Sequence, residues 1–293
     1  CIESVLAQTL TDWDYTIVDN ASTDDTFAIA SSYAQRDPRI RVLRNPATVR
    51  VVENHNIAVR AIAPGSRYCK VVQADDALFP ECLAKLVAVA EAHPSVGLVG
   101  SYGLVGDEVR NTGLPWQREV FDGREVCRLR LLGGPYVFGS PTSVLYRADL
   151  VRAREAFYRE GTIHADAEAC FEVLQHHDLG FVHQVLHMIR MRPGSMTALS
   201  MRFNTYLPEM LHDLQVFGPG CLADEERTRR IREVVAQYDR YLGREWLKHR
   251  ERGFWTYHES QRRELGHPIR RTRFAWAALR HALYLASRPV PLV

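Results

Sequence analysis

The feature that most constrains the fold is an alternation of strand-like and helix-like stretches in the first part of the chain. The strand-like stretches are apolar runs at residues 14–19, 40–43, 68–74 and 96–105. The helix-like stretches between them lie at residues 22–33, 52–63 and 81–92. Strands that alternate with helices are joined by right-handed crossovers and pair in parallel. The sequence therefore predicts an α/β fold with a mostly parallel central sheet.

The start of the chain has the pattern of a helix. Residues 1–10 are amphipathic, with Ile2, Val5 and Leu6 on the inner face. An α/β unit of this kind is expected to have a strand before its first helix. We therefore expect a fragment that lacks its first strand and any site residues which that strand would supply.

The pattern changes after the fourth strand. Residues 107–147 contain short apolar pieces separated by glycine and proline, as in segments that line substrate clefts. A helix is predicted at residues 166–177 and a strand at residues 180–189. The fold therefore continues to about residue 200, although its middle part is irregular.

The last third of the chain has helical spacing only. Arginine-rich helices are predicted at residues 225–244 and 270–287. We therefore expect an α/β domain at residues 1–200, followed by a helical C-terminal extension at residues 201–293.

Composition narrows the class of protein. With 46% hydrophobic and 25% charged residues, the chain resembles ordinary soluble enzymes. The net charge of +2 supplies no field that would attract nucleic acid, so no nucleic-acid partner is expected. The six cysteines form no C-x-x-C pair, and no apolar run reaches the ~20 residues that span a bilayer. These features predict a cytoplasmic setting.

Two adjacent carboxylates, Asp75 and Asp76, end the apolar run at residues 71–76. Ligands of open α/β sheets bind at the carboxyl ends of strands. Paired oxygen ligands suit Mg²⁺ or Mn²⁺, which commonly bind phosphates as well. The alternative is an acidic turn that ends the strand and precedes a helix near Pro80. Taken alone, the dipeptide favours that turn.

The order of three motifs is more specific than any one of them. They are S-V-L-A-Q-T at residues 4–9, V-D-N-A-S-T-D-D-T at residues 18–26 and Q-A-D-D at residues 73–76. This series resembles the inverting glycosyltransferases of family 2, which have the nucleotide-sugar-binding GT-A fold. The family wording is S-V-L-x-Q-T, V-D-D-G-S-x-D-x-T and D-A-D-D. The resemblance ends near residues 190–195 and leaves the helical tail outside it.

The resemblance implies a nucleoside diphosphate-sugar donor, with a UDP-sugar expected first. Asp19 and Asn20 match the positions at the base end of the cleft, and Asn56 matches a family asparagine. Asn20 replaces a carboxylate that contacts uracil in the family, so it could hydrogen-bond a base but without a charge-assisted bond. Asp75 matches the residue toward the ribose. A helix cap formed by residues 22–25 is compatible with donor contact by Asp19.

The resemblance also implies a divalent cation, Mg²⁺ or Mn²⁺, bound by Asp76. Such an ion would neutralise the charge that develops on the leaving diphosphate. Gln73 replaces the first aspartate of the family motif. Arg192 occupies the place of a histidine that approaches the metal in several relatives; it cannot ligate a cation but could pair with phosphate. We therefore expect Asp76, phosphate oxygens and water as the ligands.

Asp166 matches the family's catalytic base. Inversion requires a carboxylate to take the acceptor proton as the hydroxyl attacks opposite the leaving group. The alternative is that Asp166 caps the helix that follows it. Glu168 would replace it as the base if the register differs by two residues.

The acceptor region is expected around Tyr136 and Phe138 and the adjoining residues 139–142, where relatives place donor sugar and acceptor. Core packing explains the two aromatic rings equally well. Residues 270–286 are basic, aromatic and apolar. They could lie on an anionic membrane surface, which would suit a lipid-linked acceptor, or pack on the α/β domain.

The resemblance implies a metal-dependent inverting glycosyltransferase of polysaccharide or glycoconjugate synthesis, with a saccharide or lipid-linked acceptor. Its location would be cytoplasmic, with peripheral membrane contact through the C-terminal helix as an option. A non-catalytic nucleotide-sugar-binding or scaffolding domain is the main alternative, because Gln73, Asn20 and Arg192 depart from the family pattern and the first strand is expected to be missing. A nucleotidyltransferase with the same acidic pair would instead release pyrophosphate.

Overall fold

A computed structural model describes residues 1–192, 194–246, 248 and 251–269. The helix predicted at residues 270–287, with its suggested membrane contact, lies outside the described residues. The chain divides into two compact units, Cys1–Pro193 and Gly194–Val293, each described separately below.

The first unit contains nine strands and seven helices in the residues described. The strands are β1 (Tyr15–Asp19), β2 (Ile40–Arg44), β3 (Tyr68–Cys69), β4 (Ala77–Leu78), β5 (Val96–Val105), β6 (Glu108–Arg110), β7 (Val120–Phe121), β8 (Val144–Arg147) and β9 (Asp178–Ile189). The helices are α1 (Ile2–Leu6), α2 (Thr26–Ala34), α3 (Val51–Arg60), α4 (Cys82–Ala92), α5 (Gly123–Leu131), α6 (Ala148–Arg152) and α7 (Ala165–Leu174). A 3-10 turn at Pro141–Ser143 precedes β8.

The strands form two sheets. β1 and β2 pair in parallel as a two-stranded sheet, and the other seven form a sheet with the path β3-β8-β5-β9-β4. β6 extends from β5, and β7 pairs with β9. The α/β class is confirmed, but the larger sheet is mixed, since β5 and β9 are its one parallel pair among the described strands. The remaining pairs of this sheet are antiparallel, and an alternation of strands and helices along the sequence does not predict them.

The strand predicted at residues 68–74 is shorter in the structure. β3 ends at Cys69, and β4 begins only at Ala77. These two short strands occupy opposite ends of the seven-stranded path, so residues 70–76 cross from one side of the sheet to the other. The apolar residues 71 and 72 are therefore half-buried in a crossing segment and do not continue the strand.

The main core lies between α4 and the larger sheet. Helix α4 buries Cys82, Leu86, Val89 and Ala90 at helical spacing, and these side chains belong to one cluster with residues of β5, β8 and β9. The close approach of helix and sheet requires a glycine at residue 180. A Cβ placed on Gly180 would lie 2.8 Å from Cγ1 of Val89.

Residues 107–147, which were predicted to be irregular, contain a helix and a strand. Helix α5 begins after Asp122, whose side chain accepts a hydrogen bond from the Glu125 amide at 2.9 Å. The D-x-x-E spacing of these two residues is a helix-start signal. β8 also lies in this segment, and it is the strand that places the 3-10 turn beside the sheet.

The second unit is helical in its described part. Its helices are α8 (Met196–Phe203), α9 (Tyr206–Val216), α10 (Gly218–Cys221), α11 (Asp224–Trp246) and α12 (Arg252–Glu264). Leu207, Tyr238, Leu242 and Phe254 form its apolar core. No helix in the described ranges combines the length and apolarity needed to cross a bilayer.

Candidate active site

Asp76 lies where the carboxyl ends of β3 and β9 meet the amino end of β8. Its residue surface is 2% exposed. The Thr142 hydroxyl donates to Asp76 Oδ2 at 2.6 Å, and the Arg190 amide donates to Oδ1 at 3.1 Å. Two segments that are distant from Asp76 in the sequence therefore fix this one carboxylate.

The surroundings of Asp76 affect its pKa in opposite directions. Burial raises the pKa of Asp76, and the neighbouring Asp75 raises it further. The hydrogen bonds from Thr142 and Arg190, together with the charge of Lys70, favour the ionised form. Lys70 Nζ donates to the carbonyl oxygens of Thr142 at 2.5 Å and Val144 at 3.4 Å, and burial lowers its own pKa. A further cation would stabilise the ionised acidic pair.

Asp75 is paired with arginine. Arg192 Nε lies 2.8 Å from Asp75 Oδ2, and the two side chains are 65% and 26% exposed. This contact is accessible to solvent, so Arg192 can leave Asp75 at little cost. Contact of Asp75 with a ribose, and of Arg192 with phosphate, both remain predictions.

The side chains at this site that could ligate a metal ion are the carboxylates of Asp75 and Asp76. In the described residues, no group of three or more His, Cys, Asp and Glu side chains is arranged to hold a metal. Each oxygen of Asp76 accepts one hydrogen bond and retains a second acceptor direction. One or two carboxylates with substrate phosphates and water are a common Mg²⁺ ligand set. The residues present therefore fit a cation that is held jointly with a diphosphate.

Asp19 ends β1 and is also buried. Its carboxylate accepts from the Ser22 amide at 3.2 Å and pairs with Arg44 Nε at 3.2 Å. The predicted cap by Ser22 is wrong, because α2 begins at Thr26 and the Thr26 amide donates to Asp24 Oδ1 at 3.1 Å. Ser22 instead closes a turn on Asp19.

Asn20 directs its side chain toward the polypeptide. Its Oδ1 accepts from the Val49 amide and from Asn45 Nδ2, both at 2.9 Å, and its Nδ2 donates to the Val49 carbonyl at 2.9 Å. This amide therefore holds the loop before α3. Contact between Asn20 and a base stays a prediction.

Asn56 lies on α3 and is 2% exposed. Its Nδ2 donates to the Tyr158 carbonyl at 2.8 Å, and its Oδ1 accepts from the Tyr158 amide at 2.9 Å. Both ends of the side chain thus anchor the segment before α7. Contact between Asn56 and the donor stays a prediction.

Replacing Asn56 by alanine should lower the free energy of unfolding by about 2–4 kcal/mol, because it leaves two buried backbone groups of Tyr158 without their partners. Urea denaturation of the full chain measures this loss. Val51→Ala on the exposed side of the same helix is the matched control and should change stability by no more than about 0.5 kcal/mol. Equal midpoints for Asn56→Ala and the control would contradict the anchoring role.

Asp166 occupies the first turn of α7, whose N-cap is His164. The capping alternative for Asp166 is therefore wrong. Burial raises the pKa of Asp166 to about 6. Its charge adds to the burial that raises the pKa of the Tyr146 and Tyr158 phenols, so all three groups are neighbours. A carboxylate in such surroundings can accept a proton near neutral pH.

Glu168 is less suited to act as a base. It is 3% exposed, and both of its oxygens accept from Arg159, at 2.5 and 2.6 Å. This two-bond ion pair stabilises the carboxylate and orients it toward arginine. The structure thus distinguishes the two acidic residues of α7.

One segment connects the two carboxylates of interest. Thr142, in the 3-10 turn, binds Asp76, and Tyr146, four residues later on β8, lies within electrostatic range of Asp166. Tyr146 also contacts Cys170 on α7, with OH and Sγ 3.1 Å apart. The turn and β8 therefore border both sites. Tyr136, by contrast, donates to the Gly139 carbonyl at 3.0 Å, and Phe138 is buried against Phe171.

The sequence placed Thr142 in the expected acceptor region but did not predict its contact with Asp76, and it did not predict Lys70 or His187 as neighbours of the site. The lysine within the apolar run at residues 68–74 was an available signal, because an unpaired charge rarely enters a core. Thr142 and His187 carried no comparable signal, since their roles depend on contacts distant in sequence.

Comparisons with known proteins place this geometry in context. Residues 1–154 match the model of glycosyl transferase family 2. The putative glycosyltransferase EpsE of Bacillus subtilis is 37% identical over 108 residues, which are 36% of this chain and 38% of EpsE. The chain spans 22% and 38% of the first two curated relatives it matches.

Solved structures share the fold. S. aureus TarS 1–349 in complex with UDP aligns with a TM-score of 0.55 at 15% identity, covering 81% of this chain and 66% of TarS 1–349. The mannosyltransferase PcManGT of Pyrobaculum calidifontis, in complex with GDP-Man and Mn²⁺, aligns with a TM-score of 0.54 at 13% identity, covering 98% and 80% of the two chains. The family match over residues 1–154, more than half of the chain, shows that the chain belongs to glycosyltransferase family 2.

Proposed function

We propose that this protein transfers a sugar, with inversion, from a nucleoside diphosphate-sugar to a hydroxyl group of an acceptor. The observation that carries the proposal is the buried carboxylate of Asp76, fixed by Thr142 and Arg190 at the sheet edge beside a second carboxylate, Asp75. Such a site suits a ligand that brings phosphate oxygens and a cation.

The donor is expected to be a UDP-sugar, as the motif resemblance implies. TarS was solved with UDP, which supports this choice, whereas PcManGT was solved with GDP-Man, which makes GDP-sugars the necessary comparison. Asp19 and the loop held by Asn20 border the proposed base end of the cleft. Asp75 and Arg192 border the ribose and diphosphate, and release of Arg192 from Asp75 would free its guanidinium for phosphate.

Asp76 would hold Mg²⁺ or Mn²⁺, with Asp75 adjacent. When bound, such an ion neutralises charge on the departing diphosphate. Thr142 and Arg190 would hold the Asp76 carboxylate in place, and their hydrogen bonds and the Lys70 charge offset part of the burial that raises the pKa of Asp76. PcManGT was solved with Mn²⁺, which supports this metal.

Asp166 would act as the base. It takes the proton of the acceptor hydroxyl while that oxygen forms its bond to the anomeric carbon, and the bond between that carbon and the diphosphate oxygen breaks on the opposite face. A single carboxylate apart from the acidic pair suits this one-step displacement. The acceptor is proposed to be a saccharide or a lipid-linked saccharide in cytoplasmic polysaccharide or glycoconjugate synthesis.

The test incubates the chain with UDP- and GDP-sugars, Mn²⁺ or Mg²⁺, and a panel of saccharide acceptors. We expect release of one nucleoside diphosphate and a product whose anomeric configuration, read by NMR, is opposite to that of the donor. Release of pyrophosphate would support a nucleotidyltransferase. Donor binding by calorimetry without turnover on any acceptor would support the non-catalytic binding domain.

A further inference from the structure

We propose that Thr142 is a positioning residue whose hydroxyl sets the orientation of the Asp76 carboxylate for cation binding. This inference rests on one part of the proposed function, the binding of Mg²⁺ or Mn²⁺ by Asp76. Thr142 Oγ1 lies 2.6 Å from Asp76 Oδ2 and accepts the Gln73 amide proton at 3.1 Å. Because that amide can only donate, the hydroxyl proton is free to point at Asp76.

Thr142 is itself held in place on its backbone side. Its carbonyl accepts from Lys70 Nζ at 2.5 Å, so the residue is fixed through both hydroxyl and carbonyl. Thr142 is fully buried, and water therefore does not compete for either contact. The charge of Lys70 acts on the same carboxylate that the hydroxyl orients.

The next residue anchors the turn to β9. Ser143 Oγ accepts from the Ser140 amide at 3.0 Å and lies 2.8 Å from His187 Nε2. Burial lowers the pKa of His187 to about 3, so the ring is neutral and its Nε2 can accept the Ser143 hydroxyl proton. Nδ1 of His187 then faces Ser101 Oγ at 3.3 Å.

The turn also depends on a glycine. Gly139 has φ of +69°, and a Cβ there would lie 2.1 Å from Ser143 Oγ. The backbone of the turn is therefore constrained by the glycine that precedes it and by the hydrogen bonds of Thr142 and Ser143. The geometry therefore presents one hydroxyl to one carboxylate oxygen in a fixed direction. Groups that hydrogen-bond to metal ligands typically change metal affinity by about 10–100-fold.

Mn²⁺ binding to the full chain tests this assignment, measured by calorimetry and by the loss of the free Mn²⁺ paramagnetic resonance signal. Thr142→Val keeps the shape but removes the hydroxyl, and it should weaken Mn²⁺ binding by about 10–100-fold. Thr142→Ser restores the hydroxyl and should bind Mn²⁺ within about threefold of the unchanged protein.

Ser101→Ala is the matched control, because it removes an equally buried hydroxyl from the same network without touching Asp76. Urea midpoints of all variants separate altered folding from altered affinity. Wild-type Mn²⁺ affinity in Thr142→Val, or an equal loss in Ser101→Ala, would overturn the inference.

A failure of the inference about Thr142 can be distinguished from a failure of the proposed sugar transfer. Sugar transfer that continues in chelator, with no Mn²⁺ binding, would overturn the role of Thr142 and leave the transferase intact. A selective loss of Mn²⁺ binding in Thr142→Val, without transfer from any donor, would support the role of Thr142 and count against the transferase.

Discussion

Asp166→Asn is expected to lower kcat by about 10²–10⁴-fold, the usual contribution of a general base. The amide keeps the size and polarity of the side chain but cannot take the acceptor proton. Donor binding should be unchanged, because the proposed role of Asp166 begins only when the acceptor attacks. Nucleoside diphosphate release measures the first effect, and calorimetry with donor alone measures the second.

Glu172→Gln provides a control on the same helix. The Glu172 side chain is 40% exposed and pairs with Arg154 rather than with Asp166. Removing its charge should leave kcat within about threefold, as for a surface substitution. Transfer by Asp166→Asn at the wild-type rate would contradict the base assignment.

The pH dependence of kcat/KM should have an acidic limb. Burial raises the pKa of Asp166 from 3.8 to about 6, so the base becomes protonated and activity falls as the pH drops through about 6. The residual activity of Asp166→Asn should lack this limb. Because the folded state binds this proton more tightly than the unfolded chain, the Asp166 carboxylate costs stability increasingly as the pH rises from about 4 to 6. At pH 8 the asparagine variant should therefore be no less stable.

Asp76→Asn should reduce transfer by at least about 100-fold, because charge stabilisation of the leaving diphosphate by a bound cation is worth several kcal/mol. The variant retains an oxygen for the Arg190 amide and a nitrogen that can face the Thr142 hydroxyl, so folding should be preserved. Activity titrated against Mn²⁺, together with Mn²⁺ binding, measures the effect.

Asp149→Asn serves as the control for Asp76→Asn, since Asp149 is exposed on α6. It removes one negative charge from the same unit without altering the acidic pair. Unchanged Mn²⁺ dependence in Asp76→Asn, or full activity of the unchanged protein in chelator, would remove Asp76 from the proposed metal site.

Local patterns predicted the longest regular elements well. Residues 96–105 were expected to form a strand and do so as β5, because the run is rich in apolar residues and most of it is buried on both faces. Helix 81–92 corresponds to Cys82–Ala92, with its buried residues at helical spacing. The predicted opening helix at residues 1–10 is shorter, ending at Leu6, since Gln8 is recruited to the Phe79 carbonyl.

Local sequence patterns could not predict which strands pair with each other, nor the presence of very short strands. The periodicity of a strand states which face is apolar but not which neighbour it pairs with or in which direction. β3 and β4 have two residues each and are defined by bonds to β8 and β9, far away in the chain. For this reason a mostly parallel sheet was expected where a mixed one is found.

By itself, the sequence determined that this is a family 2 α/β chain and singled out Asp76 and Asp166, because ordered motifs and residue types are local properties. Tertiary structure alone decided how those carboxylates are held. The hydroxyl of Thr142, the Arg190 amide and the Lys70 charge reach Asp76 only when the ends of three strands meet. Likewise, burial by α7 and its surroundings sets the proton affinity of Asp166, since desolvation depends on neighbours that no sequence pattern specifies.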